Sequence, residues 1–500
     1  MVLLFGQNRS MSYPPRSVHQ WRQSDAYSMT LNYYHDGFHF FSPALHTQVS
    51  NEGRAVGEFP IIYYVSALLW KITGPSALVV RLLNLLIAFC GLFALFKLSY
   101  EFLKNRFLAA IIPLIIYGSP LFGYYSNSFL VNIDALSFLF VGWWFLYRFF
   151  SEDRMLHLIM AICFISLAGL LRTTMLIGYI PVALWFFIQF IGLARKDLVQ
   201  GLLRTAVLGI PFVAVVVWML YISSYNAANG SVYFLTTIRP IWETTDPGRI
   251  WELLVERQLS ELYPLSFLIF LLLVVIGSSA TRKKHNGLLN GFVLFLFVEL
   301  VIYVLLWFAN FDVHDYYLIE LLILVPPVLI LLFSFIKDHV SAFHTIFFKS
   351  VFALIVLILV LFGATKTRIK YEPKQYFLTE LMLSDKEKEL YQWFHWDYGM
   401  KMQAFETVEP YLEKIGIDRS KKVISIPDQS SNISLSLMDR KGYTMLYVDP
   451  AELKGTVERF RDKGAGYLMF FDSTYAEKQQ LEPFMKHPVG KYRNIRIYKL

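Results

Sequence analysis

Five stretches of this 500-residue chain contain no Asp, Glu, Lys, Arg or His: 107–133, 173–194, 205–238, 264–281 and 350–365. A helix at the surface of a soluble protein needs a polar face, and these segments have none. A membrane-spanning helix needs about 20 mostly apolar residues. The chain therefore reads as a polytopic α-helical membrane protein with about ten spans: 81–101, 107–124, 132–150, 155–171, 173–194, 203–223, 264–281, 288–309, 317–336 and 346–364. Composition agrees, because only 17% of residues are charged against roughly 25% in a soluble domain.

The charges that do occur are unevenly placed. Residues 366–500 carry 42 of the 84 charged side chains, so a hydrophobic body ends near Lys366 and a polar tail follows. The formal net charge of +8 could suggest nucleic acid, but its placement marks topology instead, and no nucleic-acid partner is expected. Basic residues gather in alternate loops: Lys104 and Arg106; Arg148 and Arg154; Arg195, Lys196 and Arg204; Arg282, Lys283 and Lys284; Lys337 and Lys349. The positive-inside rule makes those loops cytoplasmic. The first 80 residues, 224–263, 310–316 and the whole tail then face outward. With no eukaryotic retention signal closing the chain, the expected setting is a bacterial inner membrane with these parts periplasmic. Ten spans with both ends outside leave Met1–Gly6 as a stub without a charged region, too short for a signal peptide. The expectation is a further span before it, eleven in the full protein. Cys90 and Cys163 fall within spans and read as small core residues.

The outward segments hold the polar groups suited to chemistry. The first contains His19-Gln-Trp-Arg22-Gln-Ser-Asp25, then Glu58-Phe-Pro60. Segment 59–73 reaches only about 22 Å as a helix and reads as lying along the interface. Asp134 opens a span, Arg172 sits in a tight turn, and His314-Asp315-Tyr316-Tyr317 opens another span. Glu299 lies mid-span, where an ionisable residue is either functional or a packing residue. Loop 224–263 is rich in Arg, Tyr and Trp and fits either a lid or an aromatic belt at the membrane boundary.

These motifs, in this order, resemble the GT-C membrane glycosyltransferases, in particular the branch of protein O-mannosyltransferases and the lipid A aminoarabinose transferase. The resemblance covers about residues 10–365. It rests on Asp25 in the first outer loop, Glu58-Phe-Pro60 opening an interfacial helix, Arg81 early in the next span, and His314-Asp-Tyr-Tyr317. It implies a polyprenyl-phosphate-linked sugar as donor, transfer on the outer face to a lipid, glycan or protein acceptor, and inversion at C1. The missing first span is a departure, Asp134 has no assured counterpart, and no acceptor motif is readable.

The residue chemistry suits that implication. Transfer needs a base for the acceptor, and a carboxylate serves; Asp25 is assigned that role. It also needs charge stabilisation on the departing phosphate. Glu58 with His314, and Asp315 beside it, could hold a divalent metal (Mn, Mg or Zn) or organise the phosphate site. The alternative is a metal-free site in which Arg22, Arg81 or Arg172 faces the phosphate, with His314, Asp315 and Tyr316 as further binding residues. Rival readings are a lipid-linked-sugar flippase or transporter, and an oligosaccharide ligase using a diphosphate donor.

Four domains are expected: an outer loop with interfacial helix at 1–80, the multi-span body at 81–365, a linker at 366–385 and an extracytoplasmic α/β domain at 386–500. In the last, strands are expected at 422–427, 443–448, 467–471 and 495–498, alternating with helices, which argues for a largely parallel sheet. Asp428 and Asp472 follow strand ends, as turn caps or ligand groups.

Overall fold

The computed structural model describes residues 1–234, 238–280 and 287–500. Arg282, Lys283 and Lys284, the last residue of the span expected at 264–281, and residues 235–237 of the loop 224–263 lie outside the described residues.

Each of the ten expected spans is mostly helical in its described part. Among the described residues six helices are long and apolar enough to cross a membrane: Ala77–Leu103, Asn132–Glu152, Leu198–Ala228, Gly287–Leu306, Asp315–His339 and Ile346–Tyr371. A seventh candidate, Pro247–Leu262 with Leu265–Ser278, is bent by 87°. Arg106–Tyr117, Met155–Leu171 and Ile180–Ala194 are shorter apolar helices. The chain is thus a multi-pass membrane protein with a helical body.

Several spans expected as continuous are interrupted, and proline accounts for much of this. Thr173–Gly178 is a 3₁₀ turn before Ile180–Ala194, which carries Pro181 in its first turn. Asp315–Ile323 is likewise 3₁₀ before Val325–His339, which opens with Pro326-Pro327. Proline lacks the N–H that an α-helical ladder would need to run back through these positions. The span expected at 107–124 breaks after Tyr117 and resumes as Pro120–Tyr125. At this break Gly118 meets Gly363 of the last span, where an added Cβ would lie 1.9 Å from the Gly118 carbonyl oxygen. Only glycine lets the two backbones come so close.

The short helix expected at 59–73 is present as Ile61–Thr73. It buries Ile62, Tyr63, Ser66, Ala67 and Trp70, spaced three and four apart, and exposes Leu68, Leu69 and Ile72. Its buried stripe packs on Gln20–His35 and Ala77–Leu103.

The segment 366–385, expected as a linker, differs from that reading. The helix Ile346–Tyr371 runs through its first residues, and Lys366 and Lys370 are buried. Lys366 Nζ lies 2.7 Å from Glu387 and 3.2 Å from Glu261, while Lys370 Nζ lies 2.7 Å from the other Glu261 oxygen. Buried charges require such partners, so the start of the tail is anchored on the body.

The tail domain holds a five-stranded sheet in the order β2-β1-β3-β5-β4: β1 Lys422–Ile426, β2 Gly442–Tyr443, β3 Ala465–Phe470, β4 Pro488–Tyr492 and β5 Ile495–Lys499. β1 pairs in parallel with β2 and β3, whereas β3–β5 and β4–β5 are antiparallel. The sheet is mixed rather than largely parallel because Arg493-Asn494 turn the chain straight back, and a two-residue connection permits only an antiparallel hairpin. Val423, Met469 and Ile497 face one apolar cluster, and Ile424, Leu468 and Phe470 face the other, the alternation a strand imposes. The strand expected at 443–448 stops at Tyr443, where the backbone leaves the ladder and Met445 N bonds to Asp428 O at 2.7 Å.

The sheet does not end at β2. Thr47 of the N-terminal loop bridges Gly442 in parallel, with Gly442 N donating to His46 O at 3.0 Å and Gln48 N to Gly442 O at 2.7 Å. Beside this bridge, Asp439 accepts from His46 Nε2 (3.0 Å), pairs with His35 Nε2 (3.2 Å) and is held by Arg419. Burial raises the Asp439 carboxyl, but the bonds from His35 and His46 outweigh it and hold the group well below the usual range. A carboxyl depressed on docking stabilises the docked form above its free value, near 4, and that gain is lost as pH falls. Asp439→Ala should therefore loosen the tail and cost about 3 kcal/mol. Thermal unfolding and protease sensitivity of the 372–376 connection at neutral pH check this; parental values for both would count against the latch.

Candidate active site

The site is built where the N-terminal loop, the helical body and the tail domain meet. Arg22 and Asp25 stand three residues apart on the helix Gln20–His35, hence on one face. The chain enters that helix through two left-handed residues, Ser17 (φ 71°) and His19 (φ 52°), a conformation costing about 1–3 kcal/mol outside glycine. This turn brings the His19 ring to Asp315, with Nε2 2.9 Å from Oδ1. Tyr125 donates its hydroxyl to the same oxygen.

Arg22 pairs with Glu58 Oε2, and Tyr63, from the helix Ile61–Thr73, donates to Glu58 Oε1. Arg22 Nη1 stands 3.9 Å from Asp25 Oδ2. The other Asp25 oxygen accepts from two tail-domain residues, Ser431 Oγ at 2.5 Å and Asn432 Nδ2 at 2.7 Å. Asp25 is only 5% exposed.

Two carboxylates flanking one guanidinium thereby acquire different properties. Burial pushes Asp25 up to about 6, with Arg22 and the Ser431 and Asn432 bonds pulling against it and Glu58 adding to the rise. Burial also raises Glu58, but the Arg22 charge and the Tyr63 bond outweigh it, so Glu58 ends below its ordinary value. The Arg22 charge thus favours the ionised form of Glu58, whereas burial leaves Asp25, at about 6, the readier of the two to take up a proton.

On the other side lie the histidines and Arg172. The His314 ring stacks on Tyr316 at 5.1 Å and lies 5.5 Å from His19. Burial pushes His314 down to about 4; the charges of His19, Arg22 and Arg172 add to this, and Asp315 opposes it. Arg172 Nε donates to Glu320 Oε1 at 2.6 Å, Thr174 donates to the same oxygen at 2.5 Å, and the guanidinium lies 4.5 Å from the Tyr317 ring centre. His314 Nδ1 and Arg172 Nη2 are buried and have no hydrogen-bond partner among the described residues. A buried polar nitrogen without a partner costs free energy, and a polar group supplied by a ligand would satisfy both. Phe234 of the loop 224–263 covers Arg22 at 4.9 Å, and Tyr233 reaches Thr47 Oγ1 at 3.3 Å. That part of the loop acts as a cover, while Trp242 and Trp251 point outward and are exposed.

Of the residues expected from the sequence, the structure gathers Arg22, Asp25 and Glu58 into one cluster and His314, Asp315 and Tyr316 into its neighbour, with Arg172 alongside. Arg81 is not brought in. It is fully buried, its guanidinium donating to the carbonyls of Tyr13 (3.0 Å), Pro14 (3.3 Å) and Asn127 and to the Tyr371 hydroxyl (3.1 Å). It ties the N-terminal loop to the body, with four of its five N–H donors committed to those partners. The pairing of Glu58 with His314 around a metal also fails to form. Both Glu58 oxygens are engaged by Arg22 and Tyr63, and a cation at His314 would face Arg22 and Arg172. No group of three or more His, Cys, Asp or Glu side chains suited to a metal ion occurs among the described residues. Asp134 is buried with neither oxygen hydrogen-bonded among the described residues, and Glu299 Oε2 likewise; neither joins the ion pairs above. Ser431, Asn432, Tyr63, Tyr125 and Glu320, and the role of His19, were not legible from the sequence. Only Glu320, an acid within an apolar run, carried a signal.

This arrangement of body and tail recurs in solved structures. ArnT from Cupriavidus metallidurans in the apo state matches at a TM-score of 0.57 and 11% identity, over 100% of this chain and 97% of that one. The fold is that of the GT-C membrane glycosyltransferases. ArnT bound to undecaprenyl phosphate matches this chain at a TM-score of 0.55 and 10% identity, over 100% of this chain and 97% of that one. The Archaeoglobus fulgidus oligosaccharyltransferase in the apo form matches at 0.52 and 13%, over 94% of this chain and 68% of that one. No family model matches the sequence and no curated protein matches it. The GT-C likeness to ArnT covers the tail as well, whereas the sequence resemblance ended near residue 365.

Proposed function

We propose that this GT-C protein transfers a sugar from a polyprenyl-phosphate donor to an acceptor hydroxyl or amine on the outer, periplasmic side of a bacterial inner membrane. The observation that carries the reading is the buried Asp25, pushed up to about 6, beside Arg22, with Arg172 Nη2 and His314 Nδ1 buried nearby and without a hydrogen-bond partner among the described residues. The ArnT structure with undecaprenyl phosphate supports the lipid class of the donor.

In the proposed reaction Asp25 Oδ2 takes the acceptor proton as the acceptor atom attacks C1 of the sugar. The C1–O bond to phosphate breaks, and the electron pair leaves with the phosphate, which gains one negative charge. Arg22 and Arg172 stabilise that charge, and His314 supplies a hydrogen bond. Attack opposite the leaving group inverts C1. Fixed cations in a water-poor site serve this step well. No step is routed through a metal, so activity should survive extensive chelation within about twofold. Its loss on chelation, with recovery on adding one metal, would overturn that part of the proposal.

The decisive experiment incubates purified protein in vesicles with radiolabelled polyprenyl-phosphate sugars and membrane extract. Label is expected to leave the lipid for an acceptor. Label that stays on the lipid and crosses the bilayer would instead establish a flippase. Transfer only from diphosphate donors would establish a ligase.

A further inference from the structure

The function proposed above leaves the tail domain without a part in the chemistry, yet two of its side chains touch the base. Ser431 Oγ and Asn432 Nδ2 both donate to Asp25 Oδ1, and both residues are fully buried. The Asn432 amide cannot be turned the other way, because its oxygen accepts from Thr47 N at 2.9 Å. The loop that presents them is held from within. Asp428 Oδ1 accepts from Ser430 N and Oγ at 2.8 and 2.6 Å, and Oδ2 from Ser434 N and Oγ at 2.8 and 2.5 Å. Thr444 Oγ1 fastens the same loop through the Ser430 carbonyl at 2.5 Å.

We infer that Ser431 and Asn432 are positioning residues for the transfer reaction: the tail domain holds Asp25 Oδ1 so that Oδ2 is presented to the acceptor. Without these two donors, the nearest strong partner of Asp25 is Arg22, 3.9 Å away. The carboxylate would turn toward that guanidinium and withdraw from the acceptor, and Arg22 would be drawn from Glu58. The tail thus completes the base, instead of merely sitting above it. This inference rests on the reading of Asp25 as general base.

The test uses the full-length protein in vesicles and compares Ser431→Ala/Asn432→Ala with the parent across a pH series. The charged groups facing Asp25 are Arg22 on its own helix and Glu58 before the helix Ile61–Thr73, with the Tyr233 hydroxyl from the covering loop; all three are unchanged in the variant. Hydrogen bonds to a carboxylate favour its ionised form, so removing two of them raises its titration midpoint. The expected result is a ten- to hundredfold loss of kcat with KM for the lipid donor little changed. The acid limb of kcat/KM should move to higher pH, and Ser431→Thr, which keeps the hydroxyl, should retain most of the rate. Lys441→Ala removes a docking ion pair with Asp36 at the same interface (2.6 Å) and should leave the limb in place. A folded double variant with parental kcat, or one that loses rate with an unmoved acid limb, overturns the inference. If the double variant does not reach the membrane, Ser431→Ala alone decides by the same two readouts. Asp25→Asn separates the two claims. If it is inactive while the double variant is parental, the base stands and the positioning role falls; if it is fully active, the base itself is wrong.

Discussion

Asp25→Asn is expected to reduce sugar transfer by about a hundred- to ten-thousandfold while the protein still reaches the membrane and keeps its fold. General-base assistance contributes on the order of 10²–10⁴ in rate, and an amide cannot take the proton. The substitution is nearly isosteric. Its oxygen can still accept from Ser431 and Asn432, so the docking of the tail is preserved. In the parent, rate should fall as pH drops through about 6, where burial has placed the Asp25 carboxyl. The variant should show no such limb in its residual rate. A variant that transfers sugar at the parental rate would exclude Asp25 as the base.

Arg22→Ala should be the second most damaging change, lowering kcat by about 10²–10³. Two effects combine. The departing phosphate loses a fixed positive charge, and Glu58 is left buried with only Tyr63 as partner. Since the Arg22 charge is the main influence holding Glu58 below its ordinary range, that carboxyl should rise and take up a proton more readily. Its stabilising contribution is therefore present above the ordinary carboxylate range and lost as pH falls. Arg22→Lys should recover little, because an ammonium cannot reach both neighbours as the planar fork does. Adding guanidinium to Arg22→Ala should restore part of the rate. Near-parental turnover in Arg22→Ala would remove Arg22 from the phosphate site.

The helical body was legible because hydrocarbon imposes a local signal: every span had to be a run of apolar residues. Its interruptions were not read from the sequence, although Pro181 and Pro326-Pro327 stand where the 3₁₀ turns give way to α-helix. The break at Gly118 depends on a partner, Gly363, far along the chain. Likewise Arg22, Asp25 and Glu58 stood out as charges near one another in sequence. Arg81 looked equally functional, but its partners are carbonyl groups, and every residue has one. Nothing in Ser-Ser-Asn at 430–432 distinguishes it from any polar turn. β4, Pro488–Tyr492, is a part-exposed edge, so it lacked the apolar alternation by which the inner strands were found.

The contacts between Asp25 and its two tail donors join positions 406 and 407 residues apart in the chain. Local helices can form as each segment leaves the ribosome, but contacts of such separation come late. Asp25 is made early, and its setting is completed only after β1, β2 and the loop between them have been made and docked. A chain stalled partway through synthesis would carry Arg22, Arg172 and the carboxylate yet lack the groups that aim it. Such intermediates would bind the lipid donor without consuming it.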